Sequence, residues 1–105
     1  MEYVKKEELI KGEVYRVEDG NFWMIGIVTL PNNGGNDGSS KRGNATYINS
    51  VKEVKVDQSW AYQSNYGRTY KLATNEEKHW LNCCITANKF ITFEEAMKTF
   101  IPEYV

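Results

Sequence analysis

Residues 22–30, Phe-Trp-Met-Ile-Gly-Ile-Val-Thr-Leu, form a nearly unbroken apolar run, closed on one side by Glu18-Asp19-Gly20-Asn21 and on the other by Pro31. The run falls well short of the ~20 residues a membrane-spanning helix needs and matches the length of a single strand. Because it is apolar on both alternations, it predicts a central strand covered on both faces, or on one face plus a helix. Gly26 within it predicts a bend or bulge. Any fold for this chain has to be built around such a strand.

The flanking sequence supplies neighbours for it. Glu13-Val14-Tyr15-Arg16-Val17 reads as an alternating strand, with Val14 and Val17 expected on one face, and Asp19-Gly20 supplies the centre of a hairpin. Ala45 to Val56 resumes strand character and breaks near Asn49-Ser50, giving a kinked strand or two short ones. Asp57-Gln58-Ser59 reads as a turn, Trp60-Ala61-Tyr62 as the start of a further strand, and Arg68-Thr69-Tyr70-Lys71-Leu72 alternates again. Upstream, residues 5–11 favour a helical turn ended by Gly12, with Leu9 and Ile10 docking on the body. Residues 32–44 hold four Gly, four Asn, two Ser and no apolar residue, the composition of a long surface loop.

The C-terminal third changes period. Thr74-Asn75-Glu76-Glu77 is a capping box, in which the Thr hydroxyl and the Glu carboxylate each satisfy a free backbone donor of a helix's first turn. The helix it opens runs to about Asn88, with Trp80, Leu81, Cys84, Ile85 and Asn88 on one face. Thr92-Phe93-Glu94-Glu95 repeats the signal for a second helix to Phe100, stopped by Pro102. Short loops make consecutive strands neighbours. The expected fold is therefore α+β: about five antiparallel strands, curled as an SH3-like or OB-like partial barrel, with a C-terminal pair of short helices. Its 105 residues make one domain, a β-rich body over 1–73 and a helical pair over 74–101.

Charge and cysteine usage narrow the function classes. Thirteen basic and fourteen acidic residues leave a net charge of -1, which weighs against a sequence-independent nucleic-acid binder. The N-terminus is charged and without the apolar core of a secretory signal, and the two cysteines, Cys83 and Cys84, are adjacent, so reduced thiols and a cytoplasmic setting are expected. His79 and Cys83 stand one helical turn apart, but no further His or Cys completes a four-ligand zinc site. A helix interior offers Cys83 no oxyanion hole. The pairs Glu7-Glu8, Glu76-Glu77 and Glu94-Glu95 each fall in the first turn of an expected helix, where acids complete caps. No catalytic residue, metal site or cofactor is expected.

The remaining unusual segment is Trp60-Ala-Tyr62-Gln-Ser-Asn-Tyr66-Gly-Arg68-Thr-Tyr70, rich in aromatic and amide side chains. Cross-strand packing on an ordinary sheet surface is the simpler account of it. Stacking planes beside a guanidinium are also what a small-nucleotide pocket uses. On that reading Trp60, Tyr62, Tyr66 and Arg68, with Lys41 and Arg42 from the glycine-rich loop, bind the ligand.

Residues 70–95, Tyr-Lys-Leu-Ala-Thr-Asn-Glu-Glu-Lys-His-Trp-Leu-Asn-Cys-Cys-Ile-Thr-Ala-Asn-Lys-Phe-Ile-Thr-Phe-Glu-Glu, resemble a C-terminal module of small uncharacterised proteins from gut-bacterial phages and prophages. The module reads roughly Ala-Thr-x-Glu-Glu-x-x-Trp-Leu-x-x-Cys-Ile, and the resemblance covers about a quarter of the chain. Its motif residues here, Thr74, Glu77, Trp80, Leu81, Cys84 and Ile85, are those already given to capping and packing, so it implies a scaffold and no activity. The long Asn/Gly loop and Cys83 depart from it. What it implies of setting is a non-enzymatic accessory binder in the host cytoplasm, with counter-defence as one role, by sequestering a nucleotide immune signal or blocking a host defence protein. The alternatives are a single-stranded nucleic-acid-binding module and a minor virion or assembly component, the latter marked by a homo-oligomer. An enzyme ranks below these.

Overall fold

The structure, a computed structural model, describes residues 9–30, 44–59 and 68–101, with Ser59 and Arg68 described by their backbone alone. It is α+β. Five antiparallel strands, β1 (Val14–Asp19), β2 (Phe22–Leu30), β3 (Asn44–Asn49), β4 (Val54–Ser59) and β5 (Arg68–Leu72), form one curled sheet in the order β4-β3-β2-β1-β5. Two helices follow, α1 (Asn75–Ala87) and α2 (Phe93–Met97).

The apolar run is β2, the middle strand, and both its alternations are used. Ile25 packs with Val14, Ile48, Ala73 and the α1 residues Trp80, Leu81 and Cys84. Met24 and Val28 pack on the other face with Tyr15, Val17, Ala45, Tyr70 and Leu9. Val14 and Val17 thus lie on opposite faces, contrary to expectation, because an odd separation in a strand reverses the side chain. Gly26 is no bulge. It sits in regular register between Tyr15 of β1 and Tyr47 of β3, where two large neighbours flank a residue without a side chain.

The curl comes from elsewhere. One register shift lies between Val28 and Leu30 on the β2–β3 ladder, and a second lies on the β3–β4 ladder between Ala45 and Tyr47. On β4 two residues, Val56 and Asp57, stand opposite Thr46 alone, and Asp57 takes a φ of 53°. That extra residue bends the strand. Asp57 is held there: its N–H donates to Thr46 Oγ1 (3.1 Å) and its carboxylate accepts from Thr29 Oγ1 (2.6 Å). Asp57-Gln58-Ser59 is therefore bulged strand rather than turn.

The β1–β2 connection is two residues, Gly20-Asn21, after the closing pair Asp19 and Phe22. Gly20, at φ 65°, takes the first central position that primed hairpin turns reserve for glycine, so the turn centres one residue later than Asp19-Gly20. The break at Asn49-Ser50 is a full turn between β3 and β4. Buried Asn49 builds it, accepting from the N–H groups of Val51 and Glu53 (both 3.1 Å) and donating to Glu53 Oε1 (3.0 Å). Lys52 reverses the chain at φ 65°.

β5 pairs with β1, not with its sequence neighbour β4. Crossing the sheet takes four inter-strand spacings, about 19 Å. Residues 60–67 can reach about 27 Å, so chain length permits the return. Near the N-terminus, Leu9 is buried at 5% exposure, whereas Ile10 stands 61% exposed and is held through its backbone, its N–H donating to the Tyr15 hydroxyl (3.0 Å) and its carbonyl accepting from Glu13 N–H (3.1 Å).

Both halves of the α1 capping box form. Glu77 N–H donates to Thr74 Oγ1 (3.1 Å) and Thr74 N–H donates to Glu77 Oε1 (2.9 Å). At the other end Asn88 takes the left-handed conformation as C-cap, so it terminates the helix instead of extending its buried face, and Ile85 is 37% exposed. Helix α2 is shorter than expected and its cap is one-sided. Thr92 Oγ1 accepts from Glu95 N–H (3.2 Å), while the Glu95 carboxylate pairs with Lys98 at 3.3 Å. No helix among the described residues is long and apolar enough to cross a membrane.

Candidate functional site

Of the residues expected to bind a ligand, Lys41, Arg42, Trp60, Tyr62 and Tyr66 lie outside the described residues. Arg68 opens β5, its backbone in register with Asp19. The structure draws attention instead to the helix-covered face of the sheet, at residues the sequence had assigned to core and caps.

Trp80 is the centre of that region. On α1 it faces Trp23 of β2 at 5.2 Å between ring centroids, and it meets Phe93 of α2 (5.2 Å) and Phe90 of the connection (5.9 Å) edge to face. Its indole N–H donates to the Ile91 carbonyl at 2.6 Å. The buried Cys84 thiol grips the same residue, accepting from Ile91 N–H at 3.2 Å. Burial pushes the Cys84 thiol pKa up, opposed by its contact with the Ile91 backbone and reinforced by neighbouring Cys83. Two side chains of α1 thus fix the segment that launches α2, and so fix where Phe93 stands.

Above this aromatic group lies a cleft of about 450 Å³ lined by Arg16, Thr74, Glu76, Glu77, Trp80 and Phe93. Arg16 projects from β1 on the face shared with Val14. Its guanidinium lies 5.2 Å from the Trp23 ring centroid, and it donates from Nε to Glu18 (2.8 Å) and from Nη1 to Glu77 Oε2 (2.9 Å). The Glu77 carboxylate therefore serves the helix cap through one oxygen and the sheet through the other. Glu76, one residue earlier, is exposed and makes no ion pair among the described residues. Phe93 is 38% exposed, an open aromatic wall. A second hollow of about 430 Å³, lined by Lys89, Phe90, Ile91, Thr92 and Glu95, adjoins the same connection.

The His79–Cys83 pair behaves as an internal contact. His79 Nε2 is 2.8 Å from Thr99 Oγ1 and 3.4 Å from Cys83 Sγ, and Thr99 in turn donates to the Ala96 carbonyl. The cluster ties α1 to the residues after α2. Among the described residues no group of three or more His, Cys, Asp or Glu is placed to hold a metal ion.

No protein-family model matches this chain, nor does any curated protein or solved structure. The site offers aromatic walls, a guanidinium already paired with two carboxylates and, among the described residues, a carboxylate without an ion pair. Those are means of holding a partner group in place.

Strand alternation could have signalled it: Arg16 is two residues from Val14 and so shares the face that α1 covers. The partner that decides Arg16's role, Glu77, is 61 residues away in sequence.

Proposed function

We propose that this chain is a non-enzymatic binding protein that acts by occupying a surface of a partner protein through the Arg16–Trp80–Phe93 cleft. What supports a protein partner over a nucleotide is the state of Arg16. Its guanidinium already pairs with two carboxylates and lies over Trp23, so a phosphate entering the cleft would meet Glu76 and Glu77 beside a cation whose charge is already neutralised. Trp, Arg and Phe around a hollow are also the residues that anchor protein interfaces. The resemblance of residues 70–95 to a phage and prophage module supports a setting in which such a binder blocks a host defence protein.

The test has two arms. A thermal-shift panel of mono-, di- and cyclic oligonucleotides leaves the melting temperature unchanged. A nucleotide present at 100 times its Kd would stabilise the fold by about 2.7 kcal/mol and raise Tm by roughly 10–20 °C, and such a shift overturns the reading. In the second arm, a host protein that co-purifies is reconstituted from purified components with the wild type and with Phe93→Glu. Co-elution at fixed stoichiometry that Phe93→Glu abolishes, with its own Tm held within a few degrees, is the expected result. Co-elution indifferent to position 93 overturns the assignment of the cleft.

A further inference from the structure

Resting on that reading, we infer that the cleft takes a cationic side chain, a lysine ammonium or an arginine guanidinium presented by the partner. Three observations converge. Among the described residues that line the cleft, the carboxylates of Glu76 and Glu77 outnumber the one cation, Arg16, which Glu18 also neutralises from outside the lining. Lys71 stands beside Arg16 across the β1–β5 ladder but does not line the cleft. Arg16, the described cation in the lining, already has its charge neutralised, because it meets Glu18 at 2.8 Å and Glu77 at 2.9 Å.

The second observation is that, among the described residues, Glu76 is the one lining carboxylate without a task. Glu77 completes the α1 cap and clamps Arg16, whereas the Glu76 carboxylate forms no hydrogen bond or ion pair among the described residues. An acid in the first helical turn is stabilised by the helix dipole alone, so this placement would mean little without the rest. Beside it, however, are the partly exposed Phe93 ring and a hollow of about 450 Å³, room for a long side chain and the backbone that carries it.

The third is chemical precedent within the site itself. Arg16 shows how a cation is received here: its guanidinium lies over the Trp23 ring while carboxylates take its N–H groups. Phe93 and Glu76 offer a second cation the same kinds of group, an aromatic ring and a carboxylate. An anionic group finds neither. A purely apolar group would cover Phe93 but leave Glu76 partly desolvated and unpaired, which costs free energy.

The experiment is a titration of the ¹⁵N-labelled full chain, at constant ionic strength, with n-butylammonium, n-butylguanidinium, n-butanol and methyl phosphate in turn. The reporters are the Trp80 indole N–H and the backbone amides of Glu76, Glu77 and Phe93. Expected are saturable shifts of these signals with both cations, at a Kd of about 10–100 mM as suits so few heavy atoms. In Glu76→Gln, which removes a charge with no partner to strand, that Kd rises at least about threefold while Tm stays within a few degrees. Equal shifts with n-butanol overturn the inference by showing a hollow that selects for apolar groups alone. Shifts with methyl phosphate overturn it together with the protein-partner reading. No response to any probe overturns the cationic occupant only, since the reconstitution with Phe93→Glu tests the partner independently.

Discussion

Trp80→Phe tests the claim that one side chain both builds the core and positions the cleft. The substitution keeps an aromatic ring against Trp23 and Phe93 but removes the N–H that donates to Ile91 at 2.6 Å. A hydrogen bond of this kind contributes about 1–1.5 kcal/mol net. Trp80 is 8% exposed, and shrinking its ring forfeits on the order of 50 Å² of apolar contact, roughly 1–1.5 kcal/mol at 25 cal/mol/Å². The sum, about 2–3 kcal/mol, is a sizeable share of the 5–15 kcal/mol that stabilises a domain of this size. It corresponds to a fall in Tm of roughly 8–20 °C, measured by circular dichroism with a urea titration to establish that the m-value is unchanged. Combined with Cys84→Ala, the loss exceeds the sum of the single losses by at least about 0.5 kcal/mol, because the two side chains are alternative holds on Ile91. A Tm change under about 4 °C for Trp80→Phe, or strict additivity in the pair, would refute the argument that Ile91 is held by these two groups.

The other predictions concern the turns, the caps and alkaline pH. Asn49→Ala removes the acceptor for two turn N–H groups and lowers stability by about 1–2 kcal/mol in urea denaturation. Asn49→Asp keeps that acceptor but sets a carboxylate against Glu53 Oε1, so its deficit shrinks as pH falls below about 4 and the repulsion is neutralised. Thr74→Ala costs about 1 kcal/mol by the same assay, with loss of helical signal. Burial raises the pKa of the Cys84 thiol, and burial followed by the nearby Glu53 charge raises that of the Tyr47 phenol. The unfolded chain then loses these protons first as pH rises, so the stability they contribute is complete below pH 9 and declines above it as the folded-state values are approached. A flat Tm between pH 8 and 10.5 would contradict that sign.

What was legible in the sequence was what depends on near neighbours. The Thr74–Glu77 box is written within four residues, and α1 begins where it says. Phe22–Leu30 declares its two-sided burial by composition alone, and the central strand follows. Local signals failed where distant residues decide. Asp57-Gln58-Ser59 carries turn chemistry, yet Thr29 and Thr46, from two other strands, hold Asp57 in a bulge. Gly26 carries bulge chemistry, yet two tyrosines on adjacent strands keep it in register. The return of β5 to β1 has no local signature. The ligand residues suggested by composition, Lys41, Arg42, Trp60, Tyr62 and Tyr66, lie outside the described residues. The cleft is made of residues that read individually as core (Trp80), as caps (Thr74, Glu77) and as a helix's apolar face (Phe93).

That overlap of duties has a consequence for how the site works. Glu77 accepts from Thr74 N–H through Oε1 and from Arg16 through Oε2, so the first turn of α1 is bound to β1 by the same carboxylate that caps it. Trp80, one helical turn on, is bound to Ile91 and thereby to Phe93. Both walls of the cleft are thus referenced to one helix, and that helix is referenced to the sheet. Such a site loses little conformational entropy when occupied, which favours affinity from a small contact area. It also means that Glu77→Gln acts at two places: the amide oxygen keeps one accepted bond, while the NH2 that replaces the other oxygen is a donor facing a donor. Arg16 is then left with Glu18 alone, and a guanidinium freed on one side weakens the cleft's preference for cations. In the butylammonium titration Glu77→Gln therefore reduces affinity more than Glu76→Gln does, although Glu76 is the residue that would touch the ligand. The reverse order would mean that Arg16 is indifferent to its second carboxylate and that the cleft's charge is set by Glu76 alone.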